Sequence, residues 1–174
     1  MITFAGGQVV EVFPPKRRIQ ATVPVAPLAG VQAGQSGALA AVLELAGPEG
    51  VPSRLLPVLT GMSPGAAEDA LSECRDSGAI LADGRWVGPT AVAAHREAIL
   101  GEIRRVHAEE PFRPGATVES LRAQAPRGAP RGYTDAVIEA AVQAGDVELR
   151  DGVASQAGFR PTFSPEQRAL RMTL

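Results

Sequence analysis

The sequence predicts a mainly helical protein with small β-hairpins, arranged as two tandem copies of one three-helix module. Three observations predict it. Between residues 37 and 88, three amphipathic stretches precede a short β run broken at Asp83-Gly84, a pair favoured in two-residue hairpins. The same order recurs between residues 89 and 157, with Asp151-Gly152 at the second break. The two copies also align at a constant offset, which places Gly78 on Gly145, Leu71 on Ile138, Cys74 on Ala141 and Ile80 on Val147. Three helices closed by a hairpin is the pattern of a winged helix, so the fold expected is a tandem winged-helix protein.

In the first copy, GALAAVLELAG puts Leu39, Val42, Leu43 and Ala46 on one helical face and stops at Gly47. PSRLLPVLTG reads as a short second helix with Pro52 near its first turn and Leu55, Leu56 and Leu59 as its apolar positions. Pro57 lies early enough in it to be tolerated. MSPGAAEDALSECRDSG gives the third helix. Ser63 is its cap, Pro64 its first residue, Gly78 its stop, and Ala67, Ala70, Leu71 and Cys74 its inward face. AILADGRWVGP is the hairpin.

The second copy opens on a long helix, PTAVAAHREAILGEIRRVHAEEP, whose apolar stripe is Val92, Ile99, Ile103 and Val106 and which Pro111 ends. TVESLRAQA is its short second helix, capped by Thr117. YTDAVIEAAVQAG, closed by Gly145, is the third, and VELRDGVAS is the wing.

The flanks read differently. AGGQVVEVFPPKRR, within residues 1–18, is a short strand with no hairpin partner near it, and residues 19–36 read as a Pro-, Gly- and Ala-rich linker. FRPTFSPEQRALRMTL, within 158–174, starts another helix at the cap Ser164, with Pro165 in its first turn and Gln167 completing a capping box, and runs for about two turns. Both ends are expected to have been cut from something longer.

Composition narrows the function. Hydrophobic residues make up 45% and charged residues 21%, while aromatics at 4% leave the core to Leu, Val, Ile and Ala. A net charge of −2 gives no global electrostatic reason for tight nucleic-acid binding, even though 17 residues are basic; Lys16 is the one lysine. The single cysteine, Cys74, excludes an internal disulfide framework. No apolar run approaches the roughly 20 residues that span a bilayer, and the start lacks a signal-peptide pattern. A soluble, cytoplasmic protein without a membrane partner is expected.

Three residue groups then carry a resemblance. AGGQVVEVFPPKRR is similar to the closing strand of the last β-barrel of bacterial selenocysteine-specific translation elongation factors. TGMSPGAAEDALSECRDSGAILADGRWVGPTAV resembles that family's first C-terminal winged helix, and AGFRPTFSPEQRAL the junction opening its third. The resemblance implies a GTPase that delivers selenocysteinyl-tRNA at a recoded stop codon, its winged helices joining the GTPase body to an mRNA hairpin. This chain has no G-x-x-x-x-G-K-[ST] loop, so it is expected neither to bind GTP nor to act as an enzyme, and to need no cofactor. By the same resemblance it is a connector whose partners are the elongation-factor body and the C-terminal RNA-binding winged helices, with ribosome, tRNA or mRNA as further contacts. The alternatives are a winged-helix DNA-binding transcriptional regulator and a winged-helix protein-interaction module.

Individual residues sharpen the choice. A DNA-reading third helix needs cations, yet residues 64–77 carry Glu68, Asp69, Glu73 and Asp76 against Arg75, and residues 133–144 carry Asp135 and Glu139 with no cation. Sequence-specific DNA binding is therefore not expected. Cations gather at Lys16, Arg17 and Arg18, at Arg104 and Arg105, and in the loop PRGAPRG at Arg127 and Arg131. These are the candidate RNA-phosphate contacts; the competing reading is a solvated surface. His95 and His107 lie about 18 Å apart along one helix, too far to share a metal, and read as surface residues. Glu109 and Glu110 read as exposed, Cys74 as a small core residue, and Trp86 as packing on its own helices. No catalytic or metal-ligating constellation emerges.

Overall fold

The computed structural model describes residues 35–162. The N-terminal strand, most of the linker and the helix expected from Ser164 lie outside them. The first module opens with α1 (Gln35–Ala46), a 3₁₀ turn (Gly47–Glu49), β1 (Val51–Pro52) and a second 3₁₀ turn (Ser53–Leu55). Then come α2 (Leu56–Thr60), α3 (Pro64–Asp76), β2 (Ile80–Ala82) and β3 (Arg85–Val87). The second has α4 (Pro89–Glu109), β4 (Ala116–Thr117), α5 (Val118–Arg122), α6 (Tyr133–Gln143), β5 (Val147–Arg150) and β6 (Val153–Gln156). It is a mainly helical tandem winged-helix architecture, as the sequence patterning predicts.

Local chemistry sets the element ends. Ser63 accepts a hydrogen bond from the Ala66 N–H at the start of α3, and Thr117 does the same for Ser120 at the start of α5. Pro57 falls in the first turn of α2, where its missing N–H costs nothing. Both wings turn through paired left-handed residues, Asp83 and Gly84 at φ 47° and 70°, Asp151 and Gly152 at φ 50° and 74°. These are the angles of the two-residue turn whose twist matches flanking strands.

Each sheet has three strands rather than the two of a simple hairpin. The orders are β1-β3-β2 and β4-β6-β5, all antiparallel. The added strands are two residues long, too short to show a period, and Pro52 lies in one of them rather than in the helix that follows. In both modules the residue after that strand donates its N–H to the glycine carbonyl of the wing turn, Ser53 to Gly84 at 3.0 Å and Val118 to Gly152 at 2.9 Å.

The first core packs Leu39, Val42 and Leu43 of α1 against Leu56, Ala67, Ala70, Cys74 and Trp86. Leu71 is only half-buried at its edge, and Leu55 points outward at 38% exposure, because the chain there is a 3₁₀ turn whose three-residue period rotates Leu55 away from the face of Leu56. The second core gathers Val92, Ile99, Ile103 and Val106 of α4, Leu121 of α5, and Tyr133, Val137, Ile138 and Ala141 of α6. It also takes in Ala82 and Val87, which belong to the first wing. Strand β2 thus lies on α6, and the two modules share a seam. Around it, the Thr90 N–H reaches a Glu44 carboxylate oxygen at 3.4 Å, and the Tyr133 hydroxyl donates to the Ala91 carbonyl at 3.0 Å.

Beyond β6 the chain folds back on the second module. The Gly158 N–H donates to Glu148 Oε1 at 3.2 Å, Phe159 stacks on His107 with centroids 3.5 Å apart, and the Thr162 N–H donates to the Pro111 carbonyl at 2.8 Å.

Two glycines give opposite expectations. A methyl group at Gly115 would overlap the Ala154 backbone carbonyl on β6, whereas Gly101, inside α4, faces open space. Thermal unfolding should show Gly115→Ala lowering the melting temperature, and Gly101→Ala raising stability by about 0.5–1 kcal/mol through its helix propensity. Equal effects of the two would contradict this packing.

Candidate nucleic-acid interface

In a winged helix that reads DNA, the third helix and the wing meet the nucleic acid. Here that surface is acidic. On α3, Glu68, Asp69, Glu73 and Asp76 are all exposed, and Arg75 lies over the Trp86 ring at 5.2 Å. On α6, Glu139 is exposed, and Asp135 accepts from Arg122 at 2.9 Å. The cleft between α6 and the second wing, of about 510 Å³, is lined by Val118, Arg122, Asp135, Ile138, Glu139 and Leu149. Its charged lining is two carboxylates, Asp135 and Glu139, against the one guanidinium of Arg122. The opposite face of α6 carries Tyr133, Val137, Ile138 and Ala141 into the core that its own module shares with the first wing.

The candidate cations do not converge on one surface. Lys16, Arg17 and Arg18 lie outside the described residues. Arg104 is exposed on α4 with Glu97 at 3.4 Å. Arg105 is held by two carboxylates, donating to Glu102 at 2.7 and 2.9 Å and also to Glu109. That pairing lowers the Glu102 pKa from the ordinary carboxylate range, chiefly through the hydrogen bond from Arg105, and raises that of Arg105. The pairs sit at helical spacings of three and four residues, so the signal was present in the sequence. Glu110, just past the end of α4, similarly takes Arg113 at 3.2 Å, so both glutamates are exposed, as expected, and each also faces an arginine. Arg127 and Arg131 are exposed on the loop between α5 and α6 and form no ion pair with any described residue.

The histidines differ from expectation, since both are buried. His95 is 4% exposed; its Nε2 shares a hydrogen bond with Thr134 Oγ1 at 3.1 Å, and its ring stacks on Tyr133. His107 places Nε2 3.1 Å from the Pro114 carbonyl beneath Phe159. His95 lies three residues after Val92 and four before Ile99, and His107 four after Ile103, so each occupies a slot of the apolar stripe. The helical slot, and not the polar residue type, decides their burial. Cys74 and Trp86 are core residues, as expected, and burial raises the Cys74 thiol pKa, with Glu73 adding to the effect. Burial likewise pushes Tyr133 up to about 12. Among the described residues no group of three His, Cys, Asp or Glu is placed to hold a metal ion, and no helix is long and apolar enough to cross a membrane.

Fold and surface together define a tandem winged-helix protein whose reading helices are negative. Residues 100–153 match the family model described as "Elongation factor SelB, winged helix", so the second module is similar to a SelB winged helix. Comparison with curated protein sequences gives no match. Among solved structures, the mRNA-binding domain of elongation factor SelB from E. coli, in complex with SECIS RNA, is 15% identical with a TM-score of 0.49, over 72% of this chain and 98% of that one. At that identity no residue's role carries across.

Burial lowers the His95 pKa, so the unfolded chain takes up a proton that the folded chain refuses. The penalty is absent above the ordinary histidine pKa of about 6.5, and stability falls as pH drops from there towards the lowered value. Urea midpoints measured from pH 8 to pH 5 should decline less steeply in His95→Gln than in the native chain. An identical decline would remove His95 as a cause.

Proposed function

We propose that this chain is a connector in a selenocysteine-specific elongation factor, linking the GTPase and tRNA-binding body to the portion that recognises the message hairpin. Its work is geometric rather than catalytic: it holds a distance and an angle. One observation carries the reading. Ala82 and Val87 of the first wing are buried in the core of the second module, so the two winged helices move as one body. A freely jointed pair would give the message-reading end no defined position. The similarity of residues 100–153 to a SelB winged helix supports the elongation-factor context. RNA is the nucleic acid of that context, and the E. coli domain in complex with SECIS RNA belongs to the same kind of factor.

The acidic faces of α3 and α6 weigh against a DNA-reading regulator, because a helix of that sign is repelled from the groove. Deleting the coding sequence of this chain should abolish UGA-directed selenocysteine incorporation in a reporter while bulk translation continues. Ala82→Arg, which wedges a long cation into the seam, should lower incorporation and raise the radius of gyration in small-angle scattering. Unchanged incorporation in the deletion refutes the proposal, and tight duplex-DNA binding at physiological salt would favour the regulator instead.

A further inference from the structure

The loop between α5 and α6 reads Pro-Arg-Gly-Ala-Pro-Arg-Gly-Tyr from Pro126 to Tyr133. It folds as one turn repeated. The Ala129 N–H donates to the Pro126 carbonyl at 3.1 Å, and the Tyr133 N–H to the Pro130 carbonyl at 3.2 Å. Gly132 has φ 72° and ψ 1°, the angles of the third position of a type II turn, and Gly128 has φ 83°. Arg127 and Arg131 therefore occupy the same corner of successive turns.

Three features make this more than two surface cations. The loop is fastened at both turns. A methyl at Gly128 would come within 2.8 Å of Glu49 Cγ, so the first turn abuts the first module, while Ala129 packs on the second core and Tyr133 is buried in it. Two prolines and two closed turns leave the arginines little backbone freedom to lose on binding. Six other arginines on this module, Arg96, Arg104, Arg105, Arg113, Arg122 and Arg150, each face a carboxylate, and Arg160, exposed on the segment that follows β6, stands alone rather than as one of a pair. Arg127 and Arg131 form no ion pair among the described residues; the Glu49 carboxylate lies against Gly128 between them, which leaves the loop a net charge of about one for a ligand.

The chemistry of the loop selects the ligand. It carries two arginines whose backbones stand at most about 14 Å apart, close enough for both side chains to reach phosphates of one strand. It offers no exposed aromatic ring for base stacking, since Tyr133 is 1% exposed, and no large apolar side chain for protein docking. Arginine forks bind phosphate oxygens bidentately, and a phosphate contact carries no base information.

We infer that the tandem turns of Arg127 and Arg131 form a backbone clamp for RNA, contacting phosphates independently of sequence at the junction between the modules. This deepens the connector reading and rests on it for the choice of RNA. RNA meets the protein at the helix-linking loop, while the acidic third helices stay clear of it.

The test is fluorescence anisotropy of the full chain with a 20-base-pair RNA hairpin of arbitrary sequence, titrated from 50 to 200 mM salt, beside a DNA duplex of equal length. Arg127→Ala/Arg131→Ala should weaken RNA binding and reduce the magnitude of the slope of log K against log salt by roughly 1.5, the contribution of two phosphates. Arg127→Lys/Arg131→Lys should keep most of that slope, and Arg113→Ala, removing a paired arginine, should leave it unchanged. Absence of RNA binding at 50 mM salt, an unaltered slope in the double alanine variant, or tighter binding to DNA would each overturn the inference. Because the readout is a salt slope and not selenocysteine incorporation, its failure is distinguishable from failure of the connector role.

Discussion

The burial of Ala82 and Val87 from one wing in the core of the next module is the constraint on which the rest depends. Fully burying a valine side chain is worth about 1.5–3 kcal/mol, so parting the modules would expose apolar area comparable to that holding a small helix in place. The seam fixes α6, and α6 in turn places Tyr133 beneath Ala91 and Thr134 beside His95. Those polar contacts lie in a low-dielectric interior, where leaving a donor unpaired is costly. They fix α6 on α4 within the second module, while across the seam the Thr90 N–H meets the Glu44 carboxylate.

Electrostatics divides the surface in a way that topology would not suggest. The helix and wing that meet DNA in other winged helices carry net negative charge here, and one side of α6 is spent on contact within the chain. Positive charge on the second module mostly faces neighbouring carboxylates, and among the described residues it stands unpaired at the α5–α6 loop and at Arg160 beyond β6. The fold is retained while its usual reading surface stays exposed with a charge that repels phosphate. Similarity to a family of winged helices thus speaks to architecture; charge at named residues speaks to what that architecture touches.

Much of the fold was legible because the signals are local. Ser63, Thr117, Asp83-Gly84 and Asp151-Gly152 act within a few residues of themselves, and the structure places each in its expected role. Non-local features were not legible. Strands β1 and β4 exist because a later strand passes beside them, and nothing in two residues announces that. The seam depends on Ala82, too small to stand out in any pattern. His95 and His107 were readable from their helical slots but masked by residue type. Of the site, the sign of the reading helices could be counted directly. That Arg105 is held by Glu102 and Glu109 required attention to spacing, and that Arg127 and Arg131 sit on equivalent corners required the backbone.

Where the polypeptide leaves β6, its fold-back through Phe159 and Thr162 sets how tension enters the protein. A pull on the residues after Thr162 would first strain the aromatic pair and one backbone hydrogen bond at the far end of α4. The ladder of the second wing would feel it only afterwards. The arrangement works as a cable clamp does: the exit of the chain is tied to His107 on the long helix and to Pro111 just past it, not to the wing alone.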